Sequence, residues 1–237
     1  MGFYRGPNVV TDGLVLALDA ANPLSYPGSG TTWNDLSGNG YSGTLVNGPT
    51  FNSGKGGSIV FDGVDDYIGL SSLLSLLNGT TEATLCIWLK LISGSNPSGR
   101  AGIIQLSGYN NSNGCLYYYT DATRVGGIWL DTFRTDRVFT GDWQPIVDGT
   151  QWHNLVVSTT PGVNGWKMYL NGILRYSTTG QNTVSVDSSL FGGFRLGQNS
   201  GGRDLWGNIS ICFIYNRNLS ATEVLQNYNA IQTRFNL

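Results

Sequence analysis

Apolar residues in this chain come in short runs, and nearly every run is closed by Gly, Asn, Asp or Ser. Runs of that length suit a strand crossing one layer of a sheet; a helix needs a longer periodic stripe to bury a face. The strands predicted in this way are Leu14–Asp19, Ser58–Asp62, Tyr67–Leu70, Ala83–Leu91, Ile103–Leu106, Cys115–Thr120, Gly127–Leu130, His153–Thr159, Trp166–Leu170, Phe191–Leu196 and Ile209–Tyr215. Ala83–Leu91 alternates cleanly: Leu85, Ile87, Leu89 and Leu91 fall on one face, and Thr84, Cys86, Trp88 and Lys90 on the other. Asn171–Gly172, between Trp166–Leu170 and Ile173–Tyr176, predicts a two-residue hairpin, because both central positions of a type I′ turn need positive φ. The pattern restricts the fold to an all-β sandwich.

One segment reads as a helix. Ser220-Ala-Thr-Glu223 is a capping box, and Val224, Leu225 and Tyr228 follow at helical spacing, so a short C-terminal helix is expected over 220–230. No internal repeat and no long linker interrupts the chain, which predicts an N-terminal arm over 1–12 and one domain over 13–237. The 34 glycines do not imply disorder, since aromatic residues at 12 % supply core material. The net charge of −2, with no basic stretch, excludes the electrostatic footprint that nucleic acid or an anionic membrane requires. No apolar run reaches the ~20 residues of a membrane span. The opening MGFYRGPNVVTDG has neither an apolar core nor a cleavage site, so no signal peptide is expected. Cys86, Cys115 and Cys212 have no metal or redox spacing and are expected as buried free thiols, consistent with synthesis in a reducing compartment.

Several segments resemble the laminin-G-like branch of the concanavalin A-like lectin/glucanase jelly rolls. They are Gly13-Leu-Val-Leu-Ala-Leu-Asp19, Asp35-Leu-Ser-Gly-Asn-Gly40 with Gly43-Thr-Leu-Val-Asn-Gly-Pro49, Ser58–Tyr67, Trp152–Val157, Met168–Gly172 and Ile214–Ser220. They occur in family order, and the resemblance implies a concanavalin A-like jelly roll. A narrower resemblance, in Asn22–Trp33, Phe51-Asn52, Gly56–Val60 and Glu223–Asn229, is to copies of this domain in virion proteins of tailed phages, including those of marine cyanobacteria. It implies a virion-surface protein made in the host cytoplasm, whose partners are the major capsid protein or other virion proteins, with glycans as further ligands.

Enzymatic chemistry is not expected. Glycoside hydrolysis generally uses two facing carboxylates. The glutamates here are Glu82, before a strand, and Glu223, in the capping box, and the superfamily's E-x-D-x-x-E cluster is missing. His153 shares parity with Leu155 and Val157 and reads as a packed strand residue; no nucleophile elbow accompanies it. The resemblance puts Asp19 at one position of a structural calcium site, but Ser210 and Ile211 stand where the family carries an acidic pair. No tight metal site and no cofactor are therefore expected, and Asp62, Asp65 and Asp66 read as turn formers. Binding chemistry is aromatic: Tyr117, Tyr119, Trp129 and Trp143 could form a sugar-stacking platform, with Asn110, Asn111, Asp121 and Arg124 nearby, or could fill the core. Trp33, Trp88 and Trp152 read as core.

Overall fold

A computed structural model describes residues 7–70, 73, 82–92, 100–105, 115–119, 128–132, 135–139, 149–160, 162–163, 165–177, 181–182, 194–199 and 203–237; between 115 and 139 the description is of the backbone. Two eight-stranded sheets pack face to face. The first runs β15 (Ile173–Ser177), β14 (Trp166–Leu170), β12 (His153–Thr159), β7 (Ala83–Leu91), β20 (Trp206–Tyr215), β5 (Ser58–Asp62) and β4 (Thr50–Asn52), with β1 (Leu14–Asp19) also paired to β20. The second runs β11 (Thr135–Phe139), β10 (Ile128–Thr132), β9 (Cys115–Tyr119), β8 (Arg100–Gln105), β17 (Arg195–Leu196), β6 (Tyr67–Gly69), β3 (Gly43–Val46) and β2 (Thr32–Trp33). Two ribbons complete the set: β13 (Gly162–Val163) with β16 (Gln181–Asn182), and β18 (Gln198–Asn199) with β19 (Arg203–Asp204). All pairings are antiparallel, as expected for a jelly-roll sandwich.

The space between the sheets holds the main core, with Leu16, Leu18, Ile87, Leu89 and Ile209 from one sheet meeting Ile68, Ile104 and Leu196 from the other. A second core lies on the outer face of the first sheet. There Cys86, Trp88, Val156, Tyr169, Phe213 and Tyr215 are covered by helix α1 (Ala221–Ile231) and by the following 3-10 turn, Gln232–Phe235. Both faces of Ala83–Leu91 are therefore buried, although its alternation reads as one apolar face and one mixed face. A register shift in the β20–β7 pairing lies between Ile209 and Ile211. It lets Ile209 enter the main core and Ile211 the second, two residues that strict alternation would put on one face.

The predicted strands recur with altered ends. Of the expected Phe191–Leu196 strand, Arg195–Leu196 pair in the second sheet and Phe194 lies outside the ladder; 191–193 lie outside the described residues. The Ile209–Tyr215 strand starts three residues earlier, at Trp206. Short strands at 32–33, 43–46 and 50–52 escape the sequence pattern because Gly and Pro break their alternation. The hairpin at Asn171–Gly172 forms as expected, with φ of +52° and +77°. Ser220 caps α1 with the reciprocal Glu223 bonds of a capping box. The buried stripe of the helix is Val224, Asn227 and Ile231; Leu225, expected on it, is exposed. Residues 8–10 of the expected arm dock on this helix: the Val10 amide donates to Asn227 Oδ1 (2.8 Å), and Tyr215 Oη donates to the Val10 carbonyl (3.0 Å). Cys86 and Cys212 are buried free thiols, and burial pushes the Cys86 thiol up to about 12.

Candidate carbohydrate site

Three connections between the two sheets meet at one end of the sandwich. Residues 47–49 lead from β3 to β4, residues 63–66 from β5 to β6, and the β18–β19 ribbon from β17 to β20. Gly197, with φ of +85°, starts the last of these, and a side chain there would run into the Phe61 ring, so the chain can pass only as glycine.

Side chains tie the three connections together. Asp62 Oδ1 accepts the Val64 amide (2.8 Å), and the buried Asp66 Oδ2 accepts the Asp62 amide (3.0 Å), which folds the β5–β6 turn on itself. Of the three aspartates expected to form the turn, Asp62 and Asp66 do so with their side chains. Asp65 contributes its carbonyl, which accepts from Asn47 Nδ2 (3.0 Å) and from Gln198 Nε2 (3.3 Å). Gln198 Nε2 also donates to Asp204 Oδ1 (2.8 Å), and Gln198 Oε1 accepts from Arg195 Nη1 (2.6 Å). The Arg195 guanidinium lies 4.4 Å from the centre of the Tyr67 ring.

Trp206 lies against the β5–β6 turn, where a side chain at Gly63 would meet its Cβ and Cγ. In the β5–β20 ladder it pairs directly with Asp62, so the two share a face of the sheet, and both are exposed, Trp206 to 38 %. The surface combines a part-exposed indole with the exposed carboxylates of Asp62 and, on the turn that follows it, Asp65. Burial raises the carboxyl of Asp66 above the usual aspartate range, and the nearby charges of Asp62 and Asp65 add to the effect. Burial raises Asp204 in the same way, partly offset by the Gln198 hydrogen bond. A sugar ring can stack its C–H face on such an indole while its hydroxyls donate to the carboxylates, which are strong acceptors.

Carboxylate oxygens of Asp62, Asp65 and Asp66 lie within 4.8 Å of one another, close enough to face one cation. Oxygens of Asp62 and Asp66 are already engaged by backbone amides of the turn. The calcium position implied by the family resemblance does not fit this chain. Asp19 is held by Arg234 in a two-pronged ion pair (2.8 and 2.9 Å), and Ser210 Oγ donates to the Gly57 carbonyl. The protein's own guanidinium stands where a hard cation would need the carboxylate.

The residues singled out from sequence are distributed differently. Tyr117 and Tyr119 lie on β9 and Trp129 on β10, in the half of the second sheet remote from β6. Trp129 is the direct register partner of Tyr117, whereas Tyr119 pairs with Arg100. Trp143, Asn110, Asn111, Asp121 and Arg124 lie outside the described residues. Trp33, Trp88 and Trp152 are buried as expected. His153 is buried with Nδ1 3.4 Å from Asn171 Nδ2, Glu82 accepts from Thr160 Oγ1, and Glu223 is engaged by Arg217 and Ser220. Sequence reasoning passed over Trp206. Its signal was weak but present: a lone tryptophan between a Gly-rich loop and a strand, preceded two positions earlier by an aspartate.

Similar folds occur in sugar-related and receptor-binding proteins. Domain 4 of a GH43 extracellular arabinanase from Geobacillus stearothermophilus, solved with arabinotriose, matches at a TM-score of 0.64 and 21% identity over 91% of this chain and 98% of that domain. The binding domain of botulinum neurotoxin serotype D matches at 0.64 and 18% identity over 93% of this chain; the chain spans about half of that domain (52%). A Trypanosoma rangeli sialidase variant with trans-sialidase activity matches at 0.68 and 15% identity over 98% of this chain and 35% of the sialidase. No curated protein sequence matches. Among the described residues no helix is long and apolar enough to cross a membrane. The laminin G model described as the concanavalin A-like lectin/glucanases superfamily matches residues 62–225, most of the chain, and the chain belongs to that superfamily.

Proposed function

We propose that this chain is a non-enzymatic carbohydrate-binding domain on the surface of a tailed-phage virion, seated on the head as a decoration beside the major capsid protein. The observation that carries the binding half is the part-exposed Trp206 beside Asp62, with Asp65 on the turn that follows, on a scaffold fixed by three sheet crossings. A rigid platform of this kind loses little entropy when it takes up a ligand. The fold relatives support the reading: one is an arabinanase domain solved with arabinotriose, and another is a toxin binding domain in complex with SialylT. The virion half rests on the phage-like wording of Asn22–Trp33 and Glu223–Asn229. A tail-fibre adhesin is the alternative location for the same chemistry.

Gold-labelled antibody on purified particles tests the location. Label spread over the head is the expected result; label confined to the tail fibres replaces decoration with adhesion, and unlabelled particles overturn the virion reading. A glycan array tests the binding half, with Trp206→Ala expected to lose retention. Asp62, Asp65, Asp66 and Asp204 form a carboxylate group that the sequence alone did not reveal, so hydrolysis is tested beside binding. Release of reducing ends that Asp62→Asn abolishes would make the site catalytic. Unchanged oligosaccharides are the expected result.

A further inference from the structure

Asn–Gly pairs recur along the chain, and Asn39–Gly40, Asn47–Gly48 and Asn171–Gly172 lie among the described residues. An asparagine followed by glycine is open to attack by its own chain, because no side chain on the next residue screens the approach of that residue's nitrogen to the asparagine Cγ. The fold restrains these side-chain amides unequally. Asn171 is locked: Oδ1 accepts the Asn154 amide (2.9 Å), Nδ2 lies 3.4 Å from Nδ1 of the buried His153, and the turn closes the β14–β15 hairpin. Asn39 is exposed, but its Nδ2 reaches the Leu14 and Val15 carbonyls and Ser37 Oγ (3.4, 3.3 and 3.0 Å). Asn47 and Gly48 are both exposed, and among the described residues one bond holds the Asn47 side chain, from Nδ2 to the Asp65 carbonyl (3.0 Å). We infer that Asn47 is a site of self-modification, where the folded chain deamidates faster than at Asn39 or Asn171. The Gly48 nitrogen bonds to Asn47 Cγ, the Cγ–Nδ2 bond breaks, and Nδ2 leaves as ammonia with the proton that the Gly48 nitrogen gave up. Water then opens the cyclic imide at either carbonyl, giving aspartate or the isomer whose main chain runs through Cγ. The consequence follows from what Asn47 holds. Its Nδ2 ties the β3–β4 connection to the β5–β6 turn, and a carboxylate has no proton to offer the Asp65 carbonyl. The new charge also lands beside Asp66, whose Oδ1 is 4.0 Å from the Cβ position of Gly48. The tie between the two connections is lost irreversibly, whether or not the surface binds sugars.

The test follows each amide by peptide mass mapping while the full chain is incubated in warm, mildly alkaline buffer. The same chain in urea is the reference, since local sequence alone sets the rates there. In the folded chain Asn47 should convert within a few-fold of its own unfolded rate. Asn171 should be slowed about tenfold or more, because attack there waits on local opening of the hairpin and its side-chain bonds. Asn39 should fall between them. Faster conversion of Asn39 or Asn171 than of Asn47 overturns the assignment, and so does folded-state protection of Asn47 as strong as that of Asn171. The variant Asn47→Asp reproduces one product and reads the consequence. Its melting temperature should fall by about 2–4 °C, the effect of one lost hydrogen bond in a chain of this size. An unchanged melting temperature overturns the loosening.

Discussion

Two tryptophans mark the contrast between a residue that holds the fold and one that faces outward. Trp88 is 1 % exposed and stacked between Tyr228 and Phe235, with ring centres 5.7 and 4.6 Å away. Trp88→Ala should cost about 3–5 kcal/mol, the range for deleting a large buried side chain. Trp206→Ala should cost less than Trp88→Ala, because Trp206 is 38 % exposed. Urea unfolding of both variants checks the pair, and a Trp206→Ala loss as large as that of Trp88 would mark Trp206 as core. The buried carboxyls give a second expectation. Asp66 and Asp204 hold their protons more tightly when folded than when unfolded. Their contribution therefore grows as pH falls from neutral through the raised values toward the ordinary aspartate range, and is lost as pH rises through them. Carbon-detected NMR titration should find both midpoints above those of exposed aspartates; midpoints at or below that level would contradict the burial argument. The core tryptophans Trp33, Trp88 and Trp152 were legible from sequence because they fall in segments that resemble the family. Trp206 was not, since what makes it a site is Asp62 opposite it and Asp65 beside Gln198, a contact spanning 133 residues of sequence.

At the scale of elements, α1 has a start written in its own sequence. Ser220 Oγ accepts the Glu223 amide, and Glu223 Oε2 accepts the Ser220 amide (2.8 Å). Ser220→Ala should cost about 1 kcal/mol, the usual value of a lost N-cap. Arg217 adds a bond of 2.6 Å to Glu223 Oε1, and this contact first, with the Ser220 bonds behind it, lowers the Glu223 carboxyl to about 2. The sign is opposite to that of Asp66: the Glu223 contribution is complete above its ordinary value of 4.5 and disappears as pH falls toward 2. The melting temperatures of the parent and Glu223→Gln should therefore differ most near neutral pH and converge in acid. A constant difference across that window would mean that the carboxylate charge is irrelevant to the cap. The cap and the Asn171–Gly172 turn were legible because each is local, decided by residues within a few positions. The exposed position of Leu225 was not local. Asn227 takes the buried place, held by the Val10 amide from 217 residues away and by Tyr215 Oη on β20.

The whole molecule depends on a second core that strand patterns alone do not reveal, because alternation tells which residues share a face and not whether that face is covered. The cover comes from the end of the chain. Phe235 places its ring 4.6 Å from Trp88 and 4.7 Å from Trp152, and Arg234 clamps Asp19 at the end of β1. Val10, at the other end of the chain, closes the same layer through Asn227 and Tyr215. The second core on the outer face of the first sheet is thus covered by both terminal segments, and removing either should expose aromatic rings to water. Deleting residues 232–237 should cost at least the ~3–5 kcal/mol of a buried phenylalanine and leave a face that binds a hydrophobic dye. Phe235→Ala should reproduce most of that loss. Arg234→Met should cost much less, because it keeps the aliphatic packing and removes a partly exposed ion pair worth ~1 kcal/mol or less. Thermal unfolding of the three variants separates the effects. If Arg234→Met proves as damaging as the deletion, the C-terminal turn is held by charge at Asp19, and the aromatic layer beneath it is secondary.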